Sequence, residues 1–97
     1  MQFLVLLGVK TRLIRTETLS VELIGLEIQA VKQLLSSGVV RQAWRRLDSH
    51  AVALLVYAFN EQECRAILSN LPFSKAGILD IQTIEPVQPY LEVYPDP

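Results

Sequence analysis

Two stretches of this chain are apolar at both odd and even positions, and that leaves few folds open. Gln2 to Lys10 and His50 to Phe59 are nearly unbroken runs of Leu, Val, Ala and aromatic residues. Neither offers a polar face to solvent, so each reads as a strand lying inside a sheet and covered on both sides. The segments around them supply the rest of the pattern. Thr16 or Thr18 can cap a helix that runs to about Ser37, where Gly38 ends it in the left-handed conformation. Within it Ser20, Leu23, Ile24, Glu27, Ile28, Val31, Leu34 and Leu35 recur at three- and four-residue spacing and share one face, which places Glu27 inside an apolar arc. Val39 to Asp48 reads as a strand, with a tight turn at Asp48 and Ser49 into the second apolar run. Asn60, with Glu63 three residues on, opens a second helix that Leu71 and Pro72 stop. Phe73 to Gly77 reads as a loop and Ile78 to Ile84 as the last strand. Prolines at 86, 89, 95 and 97 keep Glu85 to Pro97 extended, as a C-terminal arm.

The resulting order, strand-helix-strand-strand-helix-strand, is that of the α+β ferredoxin-like fold: one domain over 1–97, with a four-stranded antiparallel sheet and both helices on one face. Two helices cover only one side of the sheet, yet the first and third strands are apolar on both. The economical cover for the other side is the sheet of a second copy, giving a dimeric αβ-barrel. Composition agrees, because 51% apolar residues in 97 is more apolar surface than so small a domain hides alone.

Charge and ligand counts exclude several functions. Nine Lys and Arg against ten Asp and Glu give a net charge of −1, without the basic field that nucleic acids require. One Cys and one His are too few for a metal centre built from those residues or for an internal disulfide. No apolar run approaches the roughly 18 residues of a membrane span, and the first ten residues lack the basic start of a signal segment. The expectation is a soluble cytoplasmic homodimer or larger homo-oligomer, with no cofactor, no metal, no nucleic-acid partner and no membrane partner.

Gly38 to Ala51 carries the only Trp and three of the six Arg. Strict alternation would put Arg41 and Arg45 on one face and Val40, Gln42 and Trp44 on the other. Guanidinium groups within a sheet strand need an anion, a carboxylate or a watery cavity to offset desolvation, so this stretch is the candidate binding site.

Taken in order, Gly38-x-x-Arg41-x-x-Trp44-Arg45, Ala51 on the following strand, Leu68-x-x-Leu71-Pro72 and the Asp80-Ile81 strand resemble the muconolactone isomerase family. The resemblance extends from the first strand to about Ile84, and Glu27 falls where that family's helix-one glutamate is expected. Val40 stands where the family pattern has Trp, and Phe73 to Ile78 differs from its Leu-Phe-Pro-Tyr segment. The family implies small αβ-barrel subunits that assemble into dimers and often larger rings. It also implies migration of a double bond in a carboxylated lactone, without a cofactor. Glu27 would then move the proton, its pKa raised by an apolar setting. Arg41 or Arg45 would hold the substrate carboxylate, Trp44 would wall the pocket, and His50 at the strand end is a further substrate-binding candidate.

Each residue also has a structural reading. Glu27, Arg41 and Arg45 can pair with one another or across an interface, Trp44 can pack, and Cys64 on the second helix is a packing residue. Two other functions therefore stand beside the isomerase: a non-catalytic assembly or small-ligand-binding module, and a cofactor-free monooxygenase on the same fold.

Overall fold

The computed structural model describes residues 1–9, 20–47 and 51–90. Its elements are β1 (Gln2–Val9), α1 (Val21–Ser37), β2 (Val40–Arg45), β3 (Val52–Tyr57), α2 (Glu61–Ser69), α3 (Pro72–Lys75) and β4 (Leu79–Val87). The sheet order is β2-β3-β1-β4, with every neighbouring pair antiparallel. This is the ferredoxin-like arrangement, with the two doubly apolar strands, β1 and β3, in the centre as expected.

Alternation within β1 and β3 defines two faces. Phe3, Val5 and Leu7 lie opposite Val56, Leu54 and Val52, and all but the half-buried Val52 are buried. They form one core with Cys64 and Leu68 of α2, and Ala30, Val31 and Leu34 of α1 pack against it. Both long helices therefore lie on this face. On the other face Leu4 and Leu6 lie opposite Leu55 and Ala53, all half-exposed, with no helix of the described residues above them.

The helix ends follow from local chemistry. Ser20, and not Thr16 or Thr18, caps α1: its hydroxyl accepts the Leu23 N–H at 3.0 Å. The two threonines lie outside the described residues. Gly38, at φ 81°, closes the helix as expected by donating its N–H to the Leu35 carbonyl. Asn60 caps α2 by accepting the Glu63 N–H at 2.8 Å.

Four features depart from the sequence reading. Pro72, expected to stop the second helix, and Phe73 to Lys75, expected within a loop, form the short helix α3, which begins at a proline whose fixed φ suits a first helical turn. β4 continues through Pro86 to Val87 because it is an edge strand, where a missing N–H is tolerated. β2 ends at Arg45 and not at Asp48; the turn at Asp48 and Ser49 lies outside the described residues, as do 91–97 of the C-terminal arm. Finally, the ladders slip by one residue in two places, at Arg41 in β2 and at Gln82 in β4.

Leu68 is fully buried in the core, so Leu68→Ala should cost about 2–5 kcal/mol in urea unfolding, a loss that an unburied side chain would not produce. Cys64 is also fully buried. Burial pushes its thiol pKa up, with a smaller lowering from Arg65 and a raising from Glu61. A thiol reagent should modify it slowly in the folded protein and quickly in urea; rapid native labelling would contradict this packing.

Candidate functional site

Glu27 sits midway along α1 on the side facing the sheet and is 8% exposed, the one charged side chain that is buried among the described residues. Its Oε1 accepts the Phe73 N–H at 3.0 Å, across 46 residues of sequence. Phe73 is the second residue of α3, and the residue before that helix, Leu71, has no side-chain oxygen to cap it. Glu27 thus satisfies a helix-start N–H that the local sequence leaves unpaired. The other carboxyl oxygen has no hydrogen-bond partner among the described residues, and none of their buried side-chain oxygens is unsatisfied. That oxygen therefore keeps contact with accessible space. Burial raises the Glu27 pKa above its ordinary value of 4.5, outweighing the lowering by the Phe73 N–H.

The accessible space is a cavity of about 300 Å³ between α1, α3 and the sheet. Leu7, Ala43, Val52, Leu54 and Leu79 line it from the strands, and Leu71 and Phe73 from the α3 side. From α1 come Ile28, Val31, Glu27 and Lys32, so the lining is apolar apart from one acid and one ammonium. Two larger hollows, of about 420 and 540 Å³, open at the far end of the sheet around Met1 and Tyr57. Neither holds a buried titratable group, so the Glu27 cavity is the candidate site.

The remaining candidates divide between the two faces of the sheet because of the slip at Arg41. Val40, Ala43 and Arg45 lie opposite Val56, Leu54 and Val52, on the helix-covered side. Gln42 and Trp44 lie opposite Leu55 and Ala53, on the other side. The Arg41 guanidinium stands over the Tyr57 ring, 5.1 Å from its centroid. Tyr57 is on that same open side, at the end of β3 remote from Val52. Five residues of strand separate the two, about 17 Å.

Arg41 and Arg45 thus do not share a face, contrary to the alternation drawn from sequence. Arg41 and Trp44 are absent from the Glu27 cavity, whereas Arg45 stands beside a residue that lines it. His50 lies outside the described residues. Lys32 was not singled out from sequence. The signal was a cation five residues beyond Glu27, beside the apolar positions 28 and 31.

No family model matches the chain, and no curated protein does. Among solved structures it is similar to 5-chloro-2-hydroxyhydroquinone dehydrochlorinase from Burkholderia phenoliruptrix AC1100, in complex with 2,5-dihydroxybenzoquinone. The TM-score is 0.70 at 16% identity, covering 91% of this chain and 94% of that one. The likeness establishes a shared fold over nearly the whole length of both chains. No helix among the described residues is long and apolar enough to cross a membrane, and none of their His, Cys, Asp and Glu side chains cluster as metal ligands do.

Because the folded Glu27 holds its proton more tightly than the unfolded chain does, its contribution favours folding below pH 4.5 and is lost as pH rises through the folded pKa. Urea unfolding of the wild type and Glu27→Gln should show the wild type gaining relative to the variant as pH is lowered from 7 towards 4.5. A constant or opposite difference would contradict a carboxyl with a raised pKa.

Proposed function

We propose that this protein is a small-molecule enzyme of the αβ-barrel type in which Glu27 moves a proton on an unsaturated ring compound bound in the 300 Å³ cavity. The observation that carries the reading is one acid, oriented by a backbone N–H, with its free oxygen in an otherwise apolar hollow. An acid in that setting, its pKa raised by burial, suits general acid–base work. The solved neighbour, a dehydrochlorinase bound to a dihydroxybenzoquinone, supports a role in processing small ring molecules.

The finer reading follows the muconolactone isomerase resemblance. Glu27 takes an allylic proton from a carboxylated lactone and returns it to another carbon of the same conjugated system, so a double bond shifts and no cofactor takes part. Both carboxyl states serve in turn, the carboxylate as base and the acid as donor. Phe73 keeps Oε1 in place while the free oxygen exchanges the proton. Pairing of the open sheet face with a second copy would cover Leu4, Leu6, Leu55 and Trp44 in a homodimer.

A second reading rests on the same hydrogen bond. Glu27 caps α3, and a protein that used it only in that way would be a ligand-binding or assembly module. Glu27→Gln separates the two, because an amide oxygen still accepts from Phe73 but no longer takes a proton.

In deuterium oxide, the wild type should wash deuterium into the allylic position of an unsaturated lactone, followed by proton NMR. Glu27→Gln should keep ligand binding and lose exchange by about a hundred- to ten-thousandfold, with Arg41→Ala, on the opposite face, unchanged. Equal exchange in wild type and Glu27→Gln would overturn the catalytic role. Wild-type binding without exchange would select the binding module. Under the dimer reading, Leu55→Glu should halve the mass measured by light scattering; an unchanged mass would overturn it.

A further inference from the structure

We infer that one flank of α1 is an interface with α1 of a second copy, the two helices running antiparallel about a two-fold axis at Ile28. The contact is separate from the open sheet face and goes beyond the proton-transfer reading without depending on it. Four large apolar side chains of α1 face solvent there: Val21, Ile24, Ile28 and Leu35, between 38% and 86% exposed. At 3.6 residues per turn they fall, with the exposed Lys32, within an arc of about 80°, centred about 100° round the helix from the inward-facing Glu27. Leu26 is 61% exposed but lies about 160° from Ile28, on the opposite flank.

The spacing of the stripe identifies its occupant. Val21, Ile24, Ile28, Lys32 and Leu35 are separated by 3, 4, 4 and 3 residues, an order that reads the same from either end. A two-fold axis at Ile28 therefore lays Val21 against Leu35 of the second copy, Ile24 against Lys32, and Ile28 against itself. The charges agree with that pairing. Glu22 lies on the Lys32 side of the stripe, and Lys32 of the second copy falls about 3 Å from it along the axis. The lysine stem passes over Gly25, where an added Cβ would meet nothing within 4 Å, and its ammonium reaches the Glu22 carboxylate. A mid-helix glycine costs helix stability relative to alanine, and here it leaves room for that stem.

The pairing also bears on the cavity, because Ile28 and Lys32 are among its lining residues. It withdraws Ile28 from water and brings the α1 rims of two cavities together across the axis. Two 17-residue helices, each about 25 Å long, make a small interface, so this contact should come apart on dilution.

The test combines cross-linking with light scattering. Under mild oxidation Ile28→Cys should form a chain-to-chain disulfide, because the axis sets that position against itself, while wild type and Leu26→Cys stay unlinked. Adding Leu55→Glu, on the open sheet face, should leave the Ile28→Cys link intact, which separates this contact from sheet pairing. In a dilution series Leu35→Glu should weaken the association at least tenfold, since its carboxylate meets Val21 and lies near Glu22 of the second copy. Leu26→Glu, the same change on the opposite flank, should match wild type. Glu22→Lys and Lys32→Glu should each weaken association several-fold, and the double variant should restore it. Thermal melts matching wild type establish that each variant is folded. An unlinked Ile28→Cys, equal linking of Leu26→Cys, or a Leu35→Glu mass equal to wild type at every concentration would overturn the second copy as the occupant.

Discussion

The hydrogen bond from the Phe73 N–H to Glu27 is the contact on which the arrangement of this site depends. It joins the middle of the longest helix to the start of the shortest. A four-residue helix has too few internal hydrogen bonds to stand alone, and a buried carboxyl without a partner would be costly. Each satisfies the other, and the space left between them is the cavity. The ferredoxin-like frame supplies the strands beneath, and Glu27 and Phe73 both line the hollow above them.

The same contact tunes the acid. A single backbone N–H orients the carboxyl and favours its charged form a little, while burial disfavours that form more strongly. Several donors would have produced a firmly ionised carboxylate, and none would have left it unpositioned. One oxygen is anchored and the other has no hydrogen-bond partner among the described residues.

The fold was legible in the sequence because its two central strands announce themselves by being apolar at both odd and even positions, and because Asn60 and Gly38 sit where helix ends require them. Glu27 was legible for a related reason, as an acid in an apolar arc. What failed to show was a matter of single residues. Strand alternation assigns faces only while the ladder is regular, and the extra residue at Arg41 reverses the side on which the preceding part of β2 is counted. The family resemblance, not that count, put Arg41 and Trp44 beside Glu27, and neither lines the cavity. The helix α3 is one turn long, too short for periodicity to reveal, and Lys32 sits at the border of the apolar arc, where a lysine ordinarily ends in solvent.

The account turns on Glu27 being an acid withdrawn from water yet open to a ligand. The most direct measurement is a carbon-13 NMR titration of its side-chain carboxyl in the folded protein. A midpoint above the ordinary 4.5, absent from spectra of Glu27→Gln, is the result the structure requires. A midpoint at or below that value would mean a carboxylate stabilised by hydration or by cations, and the hollow beside α1 would not be a site of proton transfer.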